Sequence, residues 1–355
     1  MTLRLSPRGT VAFLLAAASV SSCAQTIVLE DQIDGGLSGI NDGSAGDGHC
    51  SSGQLQILQF KTLSPEVIVA LDRSSTMTAE LSTALAALIP EVQSYQNVIR
   101  FGFVDFPDEL AACPDTCCVG ALTPPPQTPA SYTGFEQAAY TCNVAGPGGL
   151  SCLTASSRPT EAALRSCVAY YQNDPQNYGR YVLLLTDGEP SGNGEPNGSC
   201  GDAKGDCPDA ENEVGTLHGL NVQTVIVDLG TQSNANDCLH ELATGQGTNG
   251  APYYYFPGGS GLNDDLMSVV GMIATAACHL QLSTPPNDPM QLSVSYFDTP
   301  IAQDKNDGWT LDTGNAAGIT LHGIACQNFI TNRNYPAGLA VSSGCSNGHG
   351  GQTGP

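Results

Sequence analysis

Positive charge is scarce in this chain. Its 355 residues include 11 Lys and Arg against 34 Asp and Glu, for a formal net charge of −23. Nucleic-acid binding rests on clustered basic side chains, so no nucleic-acid partner is expected. Aromatic residues make up only 6% of the chain, with a single Trp. The common catalytic signatures are missing as well. There is no GxSxG, and His240-Glu241 is followed by Leu-Ala-Thr, so no HExxH forms. No phosphate-cradling glycine loop carries a Lys, and the six His residues lack ligand spacing. An enzyme is not expected. What remains is 41% hydrophobic residues, enough for one large domain, or one domain and a small companion.

The opening stretch MTLRLSPRGTVAFLLAAASVSSC places Arg4 and Arg8 before an apolar run from Val11 to Val20. That run is too short to span a bilayer and reads as a secretory signal over residues 1–22. Its end, VSSC, resembles a bacterial lipoprotein box, which implies a lipid on Cys23. Ala24 at the next position implies sorting to the outer membrane, with the lipid as the membrane anchor. Fourteen cysteines in an exported chain argue for several disulfides in an oxidising compartment. With Cys23 set aside, thirteen remain, and an odd number leaves at least one without an intrachain partner. CGDAKGDC suggests a locally closed loop between Cys200 and Cys207. Residues 23–63, rich in Gly, Asp and Ser, read as a flexible tether.

From Glu66 the pattern changes. VIVALD (67–72), YVLLLTD (181–187) and VQTVIVD (222–228) are nearly continuous apolar runs, as in strands covered on both faces of a parallel sheet. VIRFGFVDF (98–106) alternates more. Helical segments over 78–96, 160–172, 207–220, 238–245 and 261–278 separate or follow these runs. The alternation predicts an α/β domain over 64–277, a doubly wound, mostly parallel sheet flanked by helices. Residues 107–158, rich in Pro and Cys, read as an edge strand with long braced loops. Beyond Cys278, QLSVSYF, GWTLDT and AGITLHGIAC alternate between turns. They predict a small C-terminal antiparallel β-module over 278–346, stapled by Cys326 and Cys345, then a disordered tail over 347–355. DKNDGWTLD (304–312) fits a hairpin turn better than a calcium loop.

Ligands of such sheets bind outside the carboxyl ends of the strands. Asp72 ends the first apolar run, and Ser74 and Thr76 follow at steps of two. Asp187 ends another run, and Thr160 precedes a helix. Singly, each has an ordinary structural use: Ser74 and Thr76 in a turn, Thr160 as a helix cap, Asp187-Gly188 as a turn. Converging, two carboxylates and three hydroxyls make a hard, all-oxygen site suited to Mg²⁺, Mn²⁺ or Ca²⁺. In that order, DRSSTM, the Thr160 loop and TDGEP resemble the von Willebrand factor A domain, a Rossmann-like fold. The resemblance implies a metal-ion-dependent adhesion site (MIDAS) with Asp72, Ser74, Thr76, Thr160 and Asp187 as ligands. Thr76 stands where the family usually has Ser. Asp105 and Asp228, also at strand ends, are either outer-shell groups or surface carboxylates. Arg73 is expected to be solvated at the rim.

The resemblance implies a divalent cation, Mg²⁺ first, with an open coordination position for an Asp or Glu carboxylate of a protein or surface ligand. The expected function is cation-dependent binding. The alternative is a constitutive envelope scaffold that does not need the ion.

Overall fold

Two short strands, β1 (Gln56–Leu58) and β2 (Phe60–Thr62), precede the first long apolar run, which forms β3 (Glu66–Asp72). The computed structural model describes residues 56–78, 80–107, 119, 121–126, 135, 158–174, 179–190, 206–230, 237–244, 254–257, 261–286, 289–312, 318–332 and 338–343. The expected signal peptide, Cys23, the tail, most of 107–158, and both Cys200 and Cys345 lie outside them.

All seven residues of β3 are buried. Helix α1 (Glu80–Tyr95) leads to β4 (Arg100–Phe106), and α2 (Thr160–Asn173) leads to β5 (Arg180–Thr186). Helix α3 (Asp206–Gly219) then joins β5 to β6 (Val222–Asp228), and α4 (Asp237–Thr244) joins β6 to β7 (Tyr254–Pro257). These strands form one sheet in the order β4-β3-β5-β6-β7, and every pairing in it is parallel. Order reverses around β3, whose neighbours are the next strand on one side and β5 on the other. The crevice at that reversal is where side chains beyond the strand ends can meet.

Strand side chains alternate between faces, and the core divides accordingly. Val67, Val69 and Leu71 pack with α1 and with α5 (Leu262–Thr275), through Leu81, Leu85, Leu266 and Val270. Ile68 and Ala70 pack on the other face with Ala163, Leu164, Val214 and Leu239 of α2, α3 and α4. The helices present these residues at three- and four-residue spacing, the stripe that sheet packing requires. No helix among the described residues is long and apolar enough to cross a membrane.

The rest of the chain is antiparallel. Strands β8 (His279–Leu282), β9 (Leu292–Tyr296), β10 (Thr299–Ile301), β11 (Trp309–Leu311), β12 (Gly318–Leu321) and β13 (Leu339–Ser343) build two four-stranded sheets, β1-β13-β9-β10 and β11-β12-β8-β2. The tether expected over 23–63 therefore ends early. Residues 56–62 are its strands β1 and β2, paired with β13 and β8. The module is closed by both ends of the described chain, around the parallel sheet's sequence. LHGIAC turns from β12 into α6 (Gly323–Thr331) instead of continuing as a strand. DKNDG is no hairpin, because β10 and β11 belong to different sheets; Asp304 instead accepts the backbone N–H groups of Asn306 and Asp307 at 2.6 and 3.1 Å. Trp309 is buried, its indole N–H bonded to the Ile301 carbonyl at 3.0 Å.

Two disulfides differ from the expected pairing. Cys207 bonds Cys238, joining α3 to α4, and Cys278 bonds Cys326 of α6. Cys167 is a buried thiol without a disulfide, and burial pushes its pKa up to about 12, so it is inert.

At the amino ends of the strands, Glu66 is fully buried and ion-paired with Arg100, and Tyr170 donates to it at 3.3 Å. Burial first, then a hydrogen bond with Asp174, push the Glu66 carboxyl up to about 7, against the pull of Arg100. A carboxyl raised in the folded state binds protons more tightly there than in the unfolded chain. Its contribution to stability is full below the ordinary carboxylate range and is lost as pH rises toward 7. Between pH 5 and 8, wild type should lose on the order of 2 kcal/mol relative to Glu66→Gln in urea titrations. Parallel curves for the two proteins would contradict this.

Candidate functional site

Asp72 is the last residue of β3 and has no solvent exposure. The sheet continues one residue past it, since the Arg73 N–H bonds to the Phe106 carbonyl at 2.7 Å. The chain then enters a 3-10 turn, Ser75–Thr78, anchored by the buried Met77. That turn folds Ser74 and Thr76 back over the strand end. The Ser74 N–H donates to Asp72 Oδ1 at 2.7 Å.

Asp187 follows β5, the neighbour of β3, so the two carboxylates meet across adjacent strand ends. Thr76 Oγ1 donates to Asp187 Oδ1 at 2.9 Å. Ser74 Oγ lies 2.9 Å from Thr76 Oγ1. Thr76 has one hydroxyl proton, which it spends on Asp187, so Ser74 is the donor of that pair. Thr160, buried at the first turn of α2, points its hydroxyl to the Arg158 carbonyl at 3.4 Å. Four of the five expected residues are thus linked through hydrogen bonds around Asp72 and Asp187. The hydroxyl of Thr160 bonds instead to the backbone of Arg158.

Two residues that the motif reading passed over complete the arrangement. Thr186 is buried, and its hydroxyl donates to Asp72 Oδ2 at 2.6 Å. It sits immediately before Asp187 in LLLTDG, where the apolar run Val182–Leu185 ends in a hydroxyl. Arg158, two residues before Thr160, inserts its guanidinium among the oxygens. Its Nε is 3.0 Å from Asp187 Oδ1 and 3.5 Å from Asp72 Oδ2, and its Nη2 donates to Thr76 Oγ1 at 2.7 Å. In a chain with 11 basic residues, an Arg beside a hydroxyl ligand was the available sign.

The electrostatics follow from burial. Desolvation raises the Asp72 carboxyl to about 6, against the hydrogen bonds from Thr186 and Ser74, with Asp187 adding repulsion. Two near carboxylates in a sheltered crevice demand a cation, and the guanidinium stands where that positive charge belongs. The donor set brought together, the carboxylates of Asp72 and Asp187 with the hydroxyls of Ser74 and Thr76, fits a hard divalent ion by chemistry.

The other candidates sit differently. Arg73 is not at a solvated rim. It is 2% exposed, ion-paired with Asp105 at 3.2 Å and stacked over Phe103 at 5.6 Å from the ring centroid. Strand alternation explains this, because Arg73 turns to the face opposite Asp72, the face that Phe103 and Asp105 share. Asp105 is therefore Arg73's counter-ion. Asp228 ends β6, is buried, and accepts the Gly230 N–H at 2.8 Å. Gly230 backs the Asp187 loop so closely that a Cβ there would lie 2.7 Å from the Asp187 carbonyl. Cys207, Glu211 and Glu241 bring potential ligand atoms within 4.8 Å of one another, but the Cys207 sulfur is engaged in a disulfide.

No family model matches this sequence, and no curated protein matches it. Solved structures overlap it in shape. The pilus adhesin SpaC of Lactobacillus rhamnosus GG, open conformation, is 12% identical at a TM-score of 0.45, covering 79% of this chain and 38% of its own. Manganese-loaded TRAP of Plasmodium vivax is 12% identical at 0.41, covering 74% and 96%. Proximal thread matrix protein 1 of the mussel byssus, with a zinc-occupied MIDAS motif, is 13% identical at 0.34, covering 61% and 49%. The chain spans less than half of SpaC's length.

Thr186→Val should cost about 1–3 kcal/mol in urea unfolding, because it leaves a buried carboxylate oxygen without its closest donor. Thr186→Ser should recover most of that loss. A neutral Thr186→Val would show that Asp72 does not depend on the hydroxyl.

Proposed function

We propose that the α/β part of this chain is an A-type, doubly wound domain whose crevice binds a divalent cation and, through it, an acidic side chain of a protein or surface ligand. The observation that carries this reading is the meeting of Asp72 and Asp187, with Ser74 and Thr76, beyond the ends of two adjacent parallel strands. Asp72, Ser74, Thr76 and Asp187 would hold the ion, with Thr160 nearby. A bound divalent cation supplies a Lewis-acidic centre for a partner's carboxylate oxygen. Asp72 is fixed by Thr186 and the Ser74 N–H, so its geometry is set before any ligand arrives. Mg²⁺ is the first expectation, with Mn²⁺ and Ca²⁺ taking the same oxygens.

The context belongs to the same reading. The amino-terminal signal and Cys23 would export the chain and tether it to the outer membrane through a lipid. The role is then adhesion or assembly at a cell surface.

One observation favours a second reading. The Arg158 guanidinium already satisfies both carboxylates, so the crevice can be stable without an ion. The chain would then be a constitutive envelope scaffold.

Retention of envelope proteins on immobilised chain separates the two. Loss of retention in EDTA and on Asp72→Ala supports the cation-dependent reading, and indifference to both selects the scaffold. A chain of charge −23 repels an acidic partner at long range, with screening beyond about 8 Å at physiological salt. Association in Mg²⁺ should therefore quicken as ionic strength rises, and slowing would point to a basic partner surface.

A further inference from the structure

The Arg158 guanidinium occupies the place where the carboxylates of the site converge, and it binds three of the residues that would ligate an ion. We propose that Arg158 is an internal cation that competes with the divalent ion, so that loading the site and expelling the guanidinium are one event. This rests on the cation-binding reading above and adds a residue and a constraint to it.

The constraint comes from the lone pairs of Thr76. Its hydroxyl gives its proton to Asp187 and accepts from both Ser74 and Arg158. A hydroxyl oxygen has two lone pairs, and here both are taken. Thr76 can therefore turn an oxygen lone pair to an ion only when Ser74 or Arg158 lets go, and of the two only Arg158 carries a charge that opposes the ion. Asp187 Oδ1 likewise accepts from Thr76 and from Arg158 Nε. Charge points the same way, since a guanidinium 3.0 Å from Asp187 repels any second cation drawn to that carboxylate.

Arg158 is built to leave. Its side chain keeps 17% exposure, and its Nη1 reaches the Glu189 carbonyl only at 3.5 Å. The guanidinium lies against Gly188, where a Cβ would come within 2.9 Å of Arg158 Cζ. Gly188 thus does more than open a turn. Its missing side chain is the space in which the guanidinium rests.

Expulsion also reverses the charge of the crevice. With Arg158 inside, two carboxylates against one guanidinium leave a single negative charge, which repels an acidic partner. With a divalent ion inside and Arg158 at the rim, the same groups carry a single positive charge. An acidic ligand is then attracted only after the ion is in place.

The test is calorimetric titration of Mn²⁺ into wild type, Arg158→Ala, Gly188→Ala and Asp187→Ala. Removing a competing state that is populated nine-tenths of the time raises apparent affinity about tenfold. Arg158→Ala and Gly188→Ala should both bind Mn²⁺ at least about that much more tightly than wild type, and Asp187→Ala should lose binding. Gly188→Ala keeps the test open should Arg158→Ala fold poorly, because the atom it displaces is the far end of a flexible side chain. Thermal unfolding gives a second readout. Without Mn²⁺, Arg158→Ala should melt below wild type, and Mn²⁺ should restore it. Equal affinities for wild type, Arg158→Ala and Gly188→Ala, with loss in Asp187→Ala, would overturn the competition and leave the cation site standing. No binding by any of the four would overturn the cation site and the competition together.

Discussion

A carboxylate with no solvent exposure is the constraint around which this crevice is organised. Asp72 sits at the end of a strand whose every residue is buried, so its charge has lost its water. Such a group persists only with donors and a cation close by. Thr186 and the Ser74 amide are the donors, fixed by the strands and the turn. The positive charge comes from a loop. Asp187, Thr76 and Ser74 are arranged around that same charge, so the geometry of the site is the geometry of Asp72's compensation.

The two ends of the parallel sheet solve a similar problem differently. At the amino ends, Glu66 is matched to Arg100, which occupies the opposing position in the register of β3 with β4. Arg100 is 5% exposed and also donates to the Pro126 carbonyl, which locks it in place. At the carboxyl ends, Arg158 is carried by residues just before α2, is more exposed, and rests against a glycine. An ion pair set by the register of two strands closes one end, and an ion pair carried by a loop closes the other. Function belongs where the counter-charge can be replaced.

The parallel strands and their helices were legible because each is a local pattern: an apolar run or a three-to-four spacing is written in consecutive residues. Asp72, Ser74, Thr76 and Asp187 were legible for a related reason, as they sit at the ends of those runs. The pairing of residues 56–62 with β8 and β13 was not, because it joins segments more than 200 residues apart in short strands of little periodicity. The Cys207–Cys238 and Cys278–Cys326 bonds were hidden likewise, since sequence spacing does not encode which sulfurs meet. Arg73 illustrates the opposite error. Charge suggested solvent, but strand alternation and an ion pair with Asp105 keep it inside. Arg158 lay in a stretch already singled out for Thr160, yet its importance is a matter of direction, and direction is not visible in a string of letters.

The central claim is that the position now held by a guanidinium is a cation site shared between Arg158 and a divalent ion. Crystals grown in saturating Mn²⁺, with diffraction recorded at the manganese absorption edge, test it directly. The account predicts one anomalous peak among Asp72, Ser74, Thr76 and Asp187, with the Arg158 guanidinium displaced to the rim. A guanidinium still bonded to Thr76 and Asp187, with manganese elsewhere or absent, would contradict it.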